Sequence, residues 1–185
     1  MVREILIWPD TLLARKCEAV TDFADPVLKQ LLQDMEATML ANKGAGLAAN
    51  QVGFALRAVV LLVKEGATRR VLKLVNPRIV ESKGLSRGRE GCLSLPGYFD
   101  DVPRARWVRV EAQDEDGGAL TVEGDGFLGR ALQHELEHLE GRVFVDNVSP
   151  LKRTQAFNKF QKAKKRGLRY RADSPQPQDF TAPPA

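Results

Sequence analysis

The 185-residue sequence predicts an α+β fold: antiparallel or mixed β-sheets around a central helix, with one helix near the N-terminus and another near the C-terminus. Three observations predict it. Both histidines of the chain fall in one pentapeptide, His134-Glu135-Leu136-Glu137-His138, inside a stretch whose apolar residues recur at helical spacing. Several short β-prone runs precede that stretch. Pro26 and Pro150 each stand where a helix can begin.

Taken in order, Asp25-Pro26 opens a first helix with Val27, Leu28, Leu31, Leu32, Met35, Met39 and Leu40 as its apolar positions and its acidic and amide residues facing outward. Gly44 and Gly46 break it. Residues 58–63 form an unbroken apolar run, a buried strand, and 71–75 form another that ends at Asn76-Pro77. Residues 107–112 alternate as a half-buried strand, Asp114 to Gly118 turn the chain, and 119–123 pair back as a hairpin. Gly124-Asp125-Gly126 is a turn in which Asp125 caps the next helix. Phe127, Leu128, Ala131, Leu132, Leu136 and Leu139 line that helix, and Gly141 ends it. A final helix spans 150–166.

The length suits one domain with a fair-sized core, expected over 1–172, while the Pro-rich residues 173–185 read as a disordered tail. Every charged residue from Lys152 to Arg171 is basic, nine of them against a net +4 for the chain, so the remainder nets −5. That run is either a solvated helix face or a docking surface. Two cysteines offer no disulfide framework, and neither a signal peptide nor a membrane span is legible, so a reducing, cytoplasmic setting is expected. There are no internal repeats and no phosphate-binding loop.

His134-Glu135-Leu136-Glu137-His138 is an H-E-x-x-H motif. Residues four apart share a helix face, so both imidazoles can reach one metal ion, and Glu135 between them is placed to act as a base toward water. A third ligand is expected. Downstream, Gly141 fits the spacing of a longer zinc-peptidase pattern, but Phe144 stands at its ligand position and cannot coordinate, and Asp146 is the only nearby carboxylate. The ligand is therefore sought upstream. Cys17 reads as a small packed residue. Cys92, in Glu90-Gly91-Cys92-Leu93-Ser94-Leu95-Pro96-Gly97, lies in an extended segment, and spacing by itself leaves it open as a ligand.

Three segments then occur in order: Gly44-Ala45-Gly46-Leu47-Ala48-Ala49-Asn50-Gln51, Glu90-Gly91-Cys92-Leu93-Ser94, and Gln133 through Leu139. Together they resemble the three signature motifs of peptide deformylases. The similarity runs from Ile5 to about Arg166 and includes Asn76-Pro77, Val102-Pro103-Arg104-Ala105 and Ser149-Pro150-Leu151-Lys152. Glu137 stands where family members usually carry Asp, and Ala45 where a bulkier aliphatic residue is usual.

The resemblance implies a hydrolase that removes the N-formyl group from formyl-methionyl nascent peptides. It implies a divalent metal held by Cys92, His134 and His138, with ferrous iron common in the family and nickel, cobalt or zinc able to occupy the site. Glu135 would be the general acid/base, and the Gln51 amide with the Leu93 N–H would stabilise the oxyanion. Gly46, Ala45, Glu90, Gly91, Arg104, Phe127 and Ala131 are the expected substrate-side residues, with Arg104 either reaching the peptide chain or its carboxyl end or lying as a plain surface arginine, and Ala45 widening the methionine pocket. The basic C-terminal helix would dock on ribosomal RNA. Two other readings remain at this stage: a zinc endopeptidase using Asp146, and an RNA- or ribosome-binding module.

Overall fold

The computed structural model describes residues 1–65 and 68–167. Five strands, β1 (Gly46–Ala48), β2 (Ala58–Glu65), β3 (Thr68–Lys83), β6 (Trp107–Gln113) and β7 (Ala119–Asp125), form one sheet in the order β1-β2-β3-β6-β7. β4 (Ser86–Cys92) and β5 (Leu95–Arg104) form a separate hairpin. All five ladders between these strands are antiparallel. Three helices, α1 (Pro26–Ala41), α2 (Gly126–Leu139) and α3 (Pro150–Lys165), complete the α+β architecture that the sequence predicts.

The unbroken apolar run in β2 follows from burial on both faces. Val59, Leu61 and Val63 point toward α2, packing with Leu132, Leu136 and Leu139, while Ala58 and Val60 point the other way, toward Leu28, Leu31, Leu32, Met35 and Met39 of α1. A third cluster seats α3 through Ala156 and Phe160 against Trp8, Leu95 and Val102. Trp8 meets Phe157 edge-to-face with ring centroids 5.5 Å apart.

α1 begins as expected, with the Asp25 carboxylate accepting from the Val27 N–H. Its faces are corrected at three positions. Val27 and Leu40 are 52% and 47% exposed, whereas Asp34 is fully buried. Arg3 holds the Asp34 carboxylate through Nε at 2.9 Å and Nη2 at 2.7 Å, and the Met1 amino group contacts it as well, so the charge is paired within the core.

β3 does not stop at Asn76-Pro77. Asn76 takes a left-handed backbone, φ +52°, and the ladder to β6 shifts register there. The Asn76 side chain accepts from the Val20 N–H at 2.8 Å and donates to the Val20 carbonyl and to Gln113 Oε1, which ties the irregularity to its surroundings. At the other end of the sheet, β7 runs through Asp125, so the expected turn contracts to Gly126. Asp125 occupies the N-cap of α2, but its side chain makes no capping bond.

α2 stops where Gly141 was expected to stop it. Gly141 has φ +72°, and a Cβ there would lie 2.5 Å from the Ala14 carbonyl oxygen. α3 opens with the Ser149 hydroxyl facing the Lys152 N–H. Part of its basic run is spoken for: Lys152 pairs with Asp100 at 2.6 Å, Arg153 with Asp146 at 2.6 Å and Lys164 with Asp10 at 3.0 Å. Arg169, Arg171 and the tail 173–185 lie outside the described residues. No helix among the described residues is long and apolar enough to cross a membrane.

Candidate active site

α2 carries Arg130, His134 and His138 at four-residue intervals, a single stripe that faces the β4–β5 hairpin. The hairpin ladder shifts between Gly91 and Cys92, and Leu93 and Ser94 form the turn into β5. That irregularity delivers Cys92 to the stripe. One donor atom from each of Cys92, His134 and His138 lies within 4.8 Å of the others, and all three residues are buried. Cys92 Sγ is 3.2 Å from His138 Nε2.

The buried Glu90 carboxylate organises the other side of His134. Its Oε2 lies 3.0 Å from His134 Nδ1. Arg104 donates to it twice, from Nε to Oε1 at 2.8 Å and from Nη2 to Oε2 at 2.9 Å, and Arg130 Nη1 adds a bond to Oε1 at 2.8 Å. Burial alone would raise the Glu90 pKa, but Arg104 and His134 outweigh it and hold the carboxyl far below its ordinary range. With Nδ1 directed at Glu90, His134 turns its remaining nitrogen to the donor cluster. Phe144 stacks on the His134 ring at 5.8 Å, which accounts for the apolar residue at that downstream position.

The arrangement corrects the expectation for Arg104. It is 5% exposed and pairs with both Glu90 and, at 2.7 Å, Glu137; it does not line the cavity that Cys92, His134 and Glu135 share. The buried Glu90 and the half-buried Glu137, on either side of the strand end, draw the guanidinium inward. Glu90 likewise turns its charge to Arg104, Arg130 and His134 rather than to a peptide. Asp146 is committed too, accepting from the Val143 N–H and from Arg153, so it offers nothing to a metal.

Glu135 lies in the same cavity, of about 880 Å³, which Gln51, Cys92, Leu93 and His134 also line. Burial pushes its carboxyl up to about 7, and its Oε2 has no hydrogen-bond partner among the described residues. Gly46 is packed directly against it: a Cβ at that position would sit 2.4 Å from Oε1 and 2.8 Å from Cγ. The close approach at Gly46 is therefore to Glu135. Ala45, Gly91, Phe127 and Ala131 line the cavity as well, as does Leu128, which also packs on the core.

Gln51 is buried and fixed at both ends. Its Oε1 accepts from the Ala48 N–H at 2.8 Å, and its Nε2 reaches Ser94 Oγ at 3.1 Å and Cys92 Sγ at 3.4 Å. Burial lowers the pKa of His138, and the neighbouring His134 lowers it further; His134 is drawn up because Cys92 and Glu90 outweigh its burial. A thiolate and two imidazoles, each offering one atom to a common point, fit a divalent transition metal.

Three contributors escaped the sequence reading. Arg130 stands four residues before His134 and its spacing on the helix was a usable signal. Ser94 and the Asn50 amide, which donates to the His138 carbonyl at 2.6 Å, carried none that local pattern could reveal. Cys17 is buried as expected, and burial pushes its thiol up to about 11.

A family model for polypeptide deformylase matches residues 2–154. A peptide deformylase of Alkalilimnicola ehrlichii is 40% identical over 166 residues, covering 90% of this chain and 93% of that protein. One from Chromobacterium violaceum is 43% identical over 164 residues, covering 89% and 97%. Among solved structures, a Legionella pneumophila peptide deformylase superposes with a TM-score of 0.82 at 41% identity, covering 95% of this chain and all of the other. An Ehrlichia chaffeensis peptide deformylase in complex with actinonin gives 0.83 at 37% identity, covering 89% and 98%. With the family model spanning most of its length, the chain belongs to the polypeptide deformylase family.

Proposed function

We propose that this chain hydrolyses the N-terminal formamide of newly made polypeptides that begin with formyl-methionine, releasing formate and a free amine. The observation that carries this reading is a buried Glu135, with one carboxylate oxygen unpartnered, in a cavity shared with a Cys-His-His donor set. Cys92, His134 and His138 would hold a divalent metal, ferrous iron in our reading, with nickel, cobalt or zinc able to substitute. When bound, it supplies Lewis acidity toward water and the formyl oxygen.

Glu135 takes a proton from the attacking water. The water oxygen bonds to the formyl carbon, the C–N bond breaks, and the proton passes from Glu135 to the leaving nitrogen. Burial favours the protonated form of this carboxyl, which suits a group that takes up a proton and then returns it. The oxyanion is met by Gln51 Nε2, which gives up the longer of its two bonds, and by the Leu93 backbone N–H. The methionine side chain enters among Ala45, Leu93, Phe127 and Ala131, with the backbone passing Gly46 and Gly91. Small Ala45 widens that pocket, so a series of formyl peptides with larger first side chains is accepted; strict preference for methionine would reject the widening.

A thiolate ligand fits a reducing cytoplasm. Lys162, Lys165 and Arg166, which have no ion-pair partner among the described residues, fit docking of α3 on ribosomal RNA; salt-insensitive co-sedimentation with ribosomes would reject that. The decisive experiment is formate release from a formyl-methionyl tripeptide by protein purified without oxygen and loaded with ferrous iron. Release, together with loss of metal from a Cys92→Ala variant, is expected. Absence of release from folded, loaded enzyme would overturn the assignment, and metal retained by Cys92→Ala would overturn the ligand set.

A further inference from the structure

The mouth of the active-site cavity carries three cations, Lys43, Lys64 and Arg69, and all three side chains are exposed. Lys64 and Arg69 are directly opposite in the β2–β3 ladder, an arrangement of like charges that works against pairing. Lys43 lies at a turn, φ +52°, just before Ala45, whose carbonyl accepts from the Leu62 N–H and so joins this segment to β2. Among the described residues none of the three makes an ion pair or a side-chain hydrogen bond. The carboxylates in the same cavity are Glu90, already held by Arg104 and Arg130, the buried Glu135, and Asp125. With Glu90 committed and Glu135 buried, Asp125 is the one exposed carboxylate of the lining set against three cations, so the rim keeps a net positive charge that an anionic occupant would relieve.

We propose that this cation group selects formyl peptides with acidic side chains shortly after the methionine. The proposal rests on the reaction assigned above and names the substrates which that site handles best. Gly46 touches Glu135 and is paired opposite Leu61; Lys64 lies three residues along β2 from Leu61, roughly 10 Å at about 3.3 Å per strand residue, and Lys43 lies on the same side, at the turn that leads through Ala45 into β1. An extended peptide has the same rise, which brings its second to fourth side chains to the cations. A peptide is favoured over a nucleic acid as the occupant because the charges line the very cavity that holds the donor set and Glu135.

The test compares formyl-Met-Asp-Glu, formyl-Met-Ala-Ser and formyl-Met-Lys-Lys peptides with iron-loaded enzyme, at low ionic strength and at about 0.5 M salt. The acidic peptide is expected to exceed the lysine peptide in kcat/KM by about tenfold or more at low salt, with the ratio falling at high salt. In a Lys43→Gln/Lys64→Gln/Arg69→Gln variant that ratio is expected to collapse toward one. Fluorescence anisotropy of labelled, unformylated Met-Asp-Glu and Met-Lys-Lys peptides reads the same preference without turnover, so failure of the reaction and failure of the selectivity are told apart. Equal handling of acidic and basic peptides by the unaltered protein, or a preference that survives the triple variant, overturns the proposal.

Discussion

Gly46 and Glu135 are packed so tightly that a single methyl group cannot be placed between them: a Cβ on Gly46 would lie 2.4 Å from Oε1 and 2.8 Å from both Cδ and Cγ of Glu135. Three atoms, not only the flexible end, would have to move. The first signature segment is thereby coupled to the motif helix through the absence of a side chain.

Gly46→Ala is therefore expected to displace Glu135 rather than to unfold the protein. Misplacing a catalytic group by about 1 Å costs on the order of a hundredfold in rate, while overpacking costs about 1–3 kcal/mol. Formate release should fall by roughly that factor in kcat, with circular dichroism and metal content unchanged. A variant with normal kcat would show that the Glu135 position is not critical.

Glu90→Gln tests the support behind His134. The substitution keeps an acceptor for one donor but removes the charge that Arg104, Arg130 and His134 share. Loss of such a partner weakens metal binding about 10- to 100-fold, read by competition with a chelating dye. Arg130→Met removes one of three donors and leaves Arg104 in place, so a smaller loss is expected. Equal affinity in Glu90→Gln and the parent would mean that the carboxylate does not orient the ligand.

Asp34 sets a pH dependence far from the site. The Met1 amino group first, then Gln30 and Arg3, hold its carboxyl below its ordinary value of 3.8 against the opposing effect of burial. A depressed folded pKa contributes stability in full above the unfolded value, and that contribution is lost as pH falls through the folded one. Asp34→Asn should lower the thermal midpoint by several degrees at pH 7, and the gap should narrow below about pH 4. Parallel curves from neutral to acid pH would refute the pairing.

Elements whose physics is local were readable in the sequence. Asp25-Pro26 and Pro150 open helices because cap and fixed φ act within one turn, and the 58–63 run is a strand because both of its faces are covered. What was misread depends on contacts distant in sequence. Asp34 is buried because Arg3 and Met1 come to it from over thirty residues away. Residues 76–77 stay in β3 because the Asn76 side chain finds Val20 and Gln113. At the site, the donor set was marked by residue type, but the direction of Arg104 was not. An arginine between two carboxylates looks the same in one dimension as an arginine on a surface.

That arginine yields the sharpest stability prediction. Arg104 bridges Glu90 and Glu137 with its side chain 4% exposed, and burial by itself would lower its pKa, an effect the two carboxylates outweigh. Removing one partner of a buried ion pair leaves uncompensated charge and costs about 3–5 kcal/mol. Arg104→Met leaves Glu137 with Asn147 and a distant Arg142, while Arg130 still covers Glu90. The loss should therefore fall toward the lower end, about 3 kcal/mol by urea unfolding at neutral pH. The double variant Arg104→Met/Glu137→Leu should regain much of it, because the carboxylate that lost its cation is gone while Glu90 keeps its second arginine. If the double variant is no more stable than the single one, the cost lies in lost packing of the arginine stem, and the charge argument fails.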